Sequence, residues 1–170
     1  MRNQIEIERK YLIRMPDAAR LEHMPGVQVW DIVQTYLTDG ADGRMRRVRR
    51  VRTGEGVRYV HTEKLRLSAL SSREMEEDVS EAEYARLIAE ADPALRPIEK
   101  RRYRVPWAGQ LLEIDVYSFW KDRATLEVEL CDEAQPVEMP DWIEVLRDVS
   151  GERAYSNRAL AGHVPMEAIP

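Results

Sequence analysis

The chain repeats one device: like charges two residues apart, set in short runs that alternate polar with apolar. Glu6 and Glu8 lead to Lys10; Glu74 and Glu76, Glu113 and Asp115, and Glu127 and Glu129 follow as further acidic pairs. Basic pairs at the same spacing are Arg47 and Arg49, then Lys100 and Arg102, with Lys64 alone. In a strand, residues i and i+2 point the same way, about 6 to 7 Å apart. The residues between them (Ile7, Val48, Met75, Ile114, Val128) are apolar and need cover. Alternation by itself describes any sheet with one face in water. Here the charges are segregated strand by strand, with four acidic pairs in one small domain, which an ordinary solvated face does not require.

The coarse order of elements follows. Gln4 to Ile13 alternates as a first strand, with Glu6, Glu8 and Lys10 on one face. A short helix is expected over 17–23, closed by Pro25-Gly26, and a second strand over 33–38. Residues 44–64 read as a hairpin turning at Gly54-Glu55, suited to type II′. With Thr53 opposite Gly56, Lys64 shares a face with Arg47 and Arg49; a bulge would substitute Arg44 and Arg46. A strand at 74–79 precedes a helix at 80–92, opened by a capping box from Ser80 to Glu83. Strands at 98–105, 111–117 and 124–130 come next, then a short helix at 141–146 and a weaker strand near 145–149. The class is α+β, dominated by an antiparallel sheet. No repeat or linker divides the chain, so one domain over 1–170 is expected.

Composition removes several function classes. Acids outnumber bases 31 to 26, and a generic binder of nucleic acid or anionic membrane usually carries the opposite excess. The arginine-rich run at 44–52 has only half its side chains on the inward face. Its outward half (Arg44, Arg46, Arg50, Arg52) suits ion pairs or contact with another subunit, as in a homodimer. A single cysteine excludes a disulfide framework and a multi-cysteine metal site. No apolar run reaches the ~20 residues of a membrane span and no signal-peptide core is present, so a cytoplasmic location is expected. His23, His61 and His163 form no motif, Cys131 has no neighbouring base, and the four tryptophans read as packing residues.

If the sheet curls into a barrel with helices outside, the charged faces line its interior. Buried charges must be paired, solvated or bound to a ligand. Eight acids facing six bases suit a polyanion held together with divalent cations. Oxygen donors without a Cys/His cluster select hard ions such as Mg²⁺ or Mn²⁺. Arginine and lysine would bind phosphate oxygens by charge-assisted hydrogen bonds.

Glu6-Ile7-Glu8-Arg9-Lys10 resembles the N-terminal E-x-E-x-K signature of the CYTH superfamily, the triphosphate tunnel metalloenzymes. The resemblance continues in order through TYL at 35–37, the R-x-R strand, Thr62-Glu63-Lys64, SREMEEDVS, IEKRRY, LLEIDVY, LEVEL and DVSGERAYSNRALA. It is nearest to the short bacterial members that hydrolyse inorganic tripolyphosphate. It implies an eight-stranded antiparallel barrel open as a tunnel, with a small-molecule triphosphate inside. By motif, Glu6, Glu8, Glu127 and Glu129 resemble the metal carboxylates, and Glu74, Glu76, Glu113 and Asp115 the supporting acidic pairs. Lys10, Lys64, Lys100 and Arg102 resemble the phosphate ligands, with Arg153 as a cation closing over the substrate. Glu6, Glu8 and Lys10 are thus the expected catalytic residues. Glu63 departs from the family's usual apolar residue before the lysine and should point outward. The competing functions are thiamine triphosphate hydrolysis, cyclisation of ATP in the same tunnel, and non-catalytic binding of polyphosphate or nucleotide.

Overall fold

The computed structural model describes residues 2–170; Met1 lies outside the described residues. Nine strands run in chain order: β1 (Arg2–Arg14), β2 (Gln28–Leu37), β3 (Met45–Thr53), β4 (Gly56–Arg66), β5 (Ser71–Val79), β6 (Ile98–Trp107), β7 (Gln110–Tyr117), β8 (Arg123–Glu129) and β9 (Val145–Asp148). The sheet order is β5-β4-β3-β2-β6-β7-β8-β1-β9, and a further β5–β1 pairing closes the first eight strands into an antiparallel barrel. Strand β1 makes the closure because it is long enough to serve two neighbours. Arg2 to Ile7 pair with β5, whereas Glu8 to Arg14 pair with β8. Beyond Ile7 the edge that β5 leaves free is taken by β9, which pairs with Tyr11 to Ile13.

The β3–β4 register runs unbroken from Met45 opposite Lys64 to Thr53 opposite Gly56, so no bulge intervenes and Arg47 and Arg49 share the inward face with Lys64. The turn itself differs from expectation. The positive φ falls on Gly56 (136°) rather than on Gly54, so the connection is not type II′. The β6–β7 hairpin does use a primed turn, with Ala108 at φ 48° and Gly109 at 73°.

Helix α1 (Ala18–Glu22) is capped by the Asp17 carboxylate and buries Leu21 against Ile13, Tyr103 and Val105 on the outer wall. Helix α2 (Glu81–Ile88) packs Leu87 on Leu37 and Val48. It ends four residues earlier than the pattern predicts, because Thr38, Ala91 and Asp92 bond the chain to the end of β2. Ser80 caps its first turn, but Glu83 turns to Arg86 instead of completing the capping box.

The helix expected at 141–146 is absent. Ile143 is buried against the outer wall after a single turn from Pro140, and Leu146 belongs to β9. The free edge of β1 outweighs six residues of helical pattern. The third helix is α3 (Asn157–Gly162), preceded by a 3-10 turn at Arg153–Tyr155. Its Leu160 and Ala161 join Tyr155, Trp120, Tyr117, Tyr36 and Leu12 in an apolar plug across one end of the barrel. The second strand begins at Gln28, not 33, because Gln28 to Gln34 pair with Arg104 to Ile98. Among the described residues, no helix is long and apolar enough to cross a membrane.

Candidate active site

Strand parity decides what faces the interior. A chamber of about 1080 Å³ occupies the barrel, walled by eight cationic and eight carboxylate side chains. Twelve of the residues predicted from sequence line it: Glu6, Glu8, Arg47, Arg49, Lys64, Glu74, Glu76, Lys100, Arg102, Glu113, Glu127 and Glu129. A smaller chamber of about 310 Å³ adjoins the first, sharing Glu8, Arg47, Lys64, Glu127 and Asn157, and contains Lys10.

Two predicted residues line neither chamber. Asp115 lies fully buried behind the wall, where its oxygens accept from Lys100 Nζ at 2.6 Å and from Arg102 at 2.7 and 2.8 Å. Arg153 is exposed, because the 3-10 turn buries Tyr155 and directs Arg153 away from the barrel.

The wall charges are partnered across strands. Lys10 Nζ stands 2.9 Å from Glu127, which also accepts from Arg102 at 3.1 Å. Arg102 further pairs with Glu113. On the opposite wall, Lys64 bonds Glu6 at 2.6 Å and lies 3.3 Å from Glu74, while Arg47 donates to Glu74 at 3.2 Å and Arg49 to Glu76. Glu8 and Glu129, adjacent partners in the β1–β8 ladder, are the two predicted acids with no ion-pair partner among the described residues.

These contacts set the protonation states. Burial would raise Glu127 and Asp115, but the facing cations outweigh it and hold both carboxyls below their ordinary range. Burial would likewise raise Glu74, yet Arg47 and Lys64 bring it to about 2. Glu8 moves the other way: burial, then repulsion by Glu127, lifts its pKa. Burial also drives Glu6 up to about 7, against the pull of Lys64. Burial lowers Lys100 to about 8 despite Asp115, and Arg49 to about 10, where Arg47 adds to the effect.

This donor chemistry fits a hard divalent cation. Glu8 is a partly desolvated carboxylate with no direct ion pair, near Lys64, Lys10 and Arg102, and Glu129 stands beside it in register. Among the described residues no three acidic, histidine or cysteine side chains are gathered as a preformed metal cluster.

Several wall residues escaped the sequence reading. Arg58 and Arg104 extend the inward parity of Lys64 and Arg102, a signal that was available. Trp30 lines the large chamber between Arg58 and Arg104, whose guanidinium carbons lie 5.1 and 4.4 Å from its ring centre. It is therefore a wall residue, not only packing. Tyr36, Asn157 and Arg158 line the smaller chamber. Outside the barrel, Arg44, Arg46 and Arg52 hold Asp42, Glu90 and Asp31, and Glu63 points outward to Arg44.

No family model matches the chain, and no curated protein does. Among solved structures, inorganic triphosphatase NE1496 is similar at 29% identity and TM-score 0.59, covering 95% of this chain and 97% of its own. The PH1819 protein of Pyrococcus horikoshii OT3 shares the fold at 14% identity and TM-score 0.56, over 75% of this chain and 80% of its own. A Bacillus halodurans protein described as a candidate adenylate cyclase shares it at 17% and TM-score 0.53, over 78% and 84%. In its closed barrel and its ordered E-x-E-x-K, R-x-R and LEVEL strands this chain resembles the CYTH superfamily, its short triphosphatases above all.

Proposed function

We propose that the barrel hydrolyses a terminal phosphoryl group from a linear triphosphate, inorganic tripolyphosphate foremost, giving diphosphate and phosphate. One observation carries this reading: a chamber within the barrel whose wall alternates cations with carboxylates, and in which Glu8 and Glu129 stand side by side with no direct ion-pair partner among the described residues. The 29% identity to an inorganic triphosphatase supports it.

Arg47, Arg49, Lys64, Lys100 and Arg102 would bind the non-bridging phosphate oxygens and neutralise charge as the bond to the leaving group loosens. Lys10, whose ammonium is stabilised by Glu127 and Glu8 against burial, stays protonated and adds a donor in the smaller chamber. Glu6, Glu8, Glu127 and Glu129 would hold Mg²⁺ or Mn²⁺, which when bound polarises phosphate oxygens and lowers the pKa of water. Asp115 holds the Lys100 ammonium and the Arg102 guanidinium side by side through three hydrogen bonds.

The test is phosphate release from tripolyphosphate, thiamine triphosphate and ATP with Mg²⁺, Mn²⁺, Ca²⁺ or EDTA. Phosphate and diphosphate from tripolyphosphate, abolished by EDTA, are expected. Tight binding without release from any substrate would make the chain a binding module instead. Trp30, held between two guanidiniums at the chamber wall, favours a second reading in which ATP is the substrate. Cyclic AMP among the products would establish that one.

A further inference from the structure

Five residues line both chambers and so mark the passage between them: Glu8, Arg47, Lys64, Glu127 and Asn157. Four are charged, and both cations are already engaged. Arg47 donates to Glu74 at 3.2 Å, while Lys64 donates to Glu6 at 2.6 Å and lies 3.3 Å from Glu74. Glu127 in turn holds Lys10 and Arg102. An oxyanion entering the passage must therefore share each of these cations with a carboxylate. Asn157 is the one neutral side chain of the five, and its amide nitrogen has no acceptor among the described residues.

The orientation of that amide is set from outside the chambers. Asn157 is the first residue of α3, and the Ser156 hydroxyl fixes the backbone there, accepting from Ala159 N and donating to the Arg153 carbonyl. The Tyr117 hydroxyl donates to Asn157 Oδ1 at 2.7 Å. Having given its single proton, the phenol oxygen accepts from Thr125 Oγ1 at 3.1 Å. Thr125 is fully buried, and the buried Tyr117 ring packs on Phe119 and Trp120, with ring centres 4.9 and 5.6 Å away. Burial, with Asp115 and Glu127 nearby, keeps the phenol protonated well beyond its ordinary range. Tyr117 lines neither chamber, so an amide anchored on it through Oδ1 presents Nδ2 to the passage.

We infer that Asn157 Nδ2 is a preoriented neutral donor to a non-bridging oxygen of the phosphoryl group lying between the two chambers, held in place by the Thr125–Tyr117 relay. The amide has no ion pair to open before it binds, so its hydrogen bond to a charged oxygen is not offset by a carboxylate left behind. The inference rests on the triphosphatase reading given above.

Steady-state hydrolysis of tripolyphosphate with Mg²⁺, and calorimetric binding of tripolyphosphate in EDTA, test it on the full chain. Asn157→Ala should lower kcat/KM roughly tenfold and weaken binding in EDTA by a similar factor. Asn157→Asp keeps the acceptor that Tyr117 uses but turns a carboxylate towards the anion, and should lose about tenfold more on both readouts. Tyr117→Phe keeps the amide but frees it to rotate, and should lose about threefold. A residue that only ties α3 to β7 gives the reverse order, with Asn157→Asp near wild type and Asn157→Ala impaired, and that order overturns the proposal. Wild-type kcat/KM and binding for Asn157→Ala overturn it as well. If Asn157→Ala does not fold, Asn157→Asp decides alone: values near wild type overturn the proposal, and a loss on both readouts supports it. Should the wild type bind tripolyphosphate without hydrolysing it, the triphosphatase reading fails, while the EDTA titrations still judge the donor.

Discussion

The two walls of the barrel carry similar charges but hold them differently. On the β6–β7–β8 wall, Lys100 and Asp115 side chains are each 1% exposed, and Asp115 alone binds two neighbouring cations through three hydrogen bonds. On the β3–β4–β5 wall, Lys64 is 22% exposed and Glu76 29%, and Arg47 and Arg49 each make one charged contact. The first wall is a preassembled frame whose geometry a ligand must accept. The second is compliant, its cations able to exchange a carboxylate for a phosphate. Glu8 lies on β1, where the two walls meet, and belongs to neither set of pairs.

The largest expected effect breaks the rigid wall. Asp115→Asn leaves Lys100 and Arg102 buried with too little counter-charge and should cost about 3 to 5 kcal/mol, read by urea denaturation. A loss below about 1 kcal/mol would show that this wall is no stiffer than the other. At the seam, Glu8→Gln should lower turnover by roughly 100-fold, as removal of one preorganised electrostatic group typically does. The same variant should change the melting temperature little, since the repulsion from Glu127 that is relieved opposes the lost attraction to Lys64 and Lys10.

The compliant wall has a pH signature. Glu74 titrates near 2 in the folded protein against an ordinary 4.5, so its contribution is complete above about pH 5. It is lost as pH falls through 4.5 towards 2, and amounts to at most about 3 kcal/mol. Glu74→Gln should flatten the acid limb of the stability profile; an unchanged limb would mean the Arg47 and Lys64 contacts do not persist in solution. As a baseline, Arg86→Gln on the outer face of α2 should leave the melting temperature unchanged, because its partner Glu83 is solvated.

How much of this was legible in the sequence follows from parity. Alternation within each strand assigns Glu6, Glu8, Lys100 and Glu127 to the interior without knowledge of the sheet, and the hairpin sum places Arg47 and Arg49 with Lys64. Parity fails where an element's start is misjudged: a second strand begun at 33 leaves Trp30 outside any strand. Arg153 entered through the family resemblance rather than through parity, and it stands exposed in a 3-10 turn that follows neither a period of two nor 3.6. The helix expected at 141–146 and strand β9 compete for the same residues, and only the vacant edge of β1 decides between them. Pairing between β1 and β5 has no local signal, so closure entered as an inference from the charge pattern and, as eight strands, from the family resemblance.

That closure bears on how the chain reaches its native state. Strands β2 to β5 can assemble by neighbouring hairpins once residue 79 is available. The C-terminal half of β1 must wait for residues 123–129 and 145–148. Contacts of such sequence separation carry a large loop-closure entropy and slow folding. The segment kept waiting contains Glu8 and Lys10, so the charged interior is sealed late, while its arginines and carboxylates are still hydrated. Dehydration of the lining and completion of the fold are then one event.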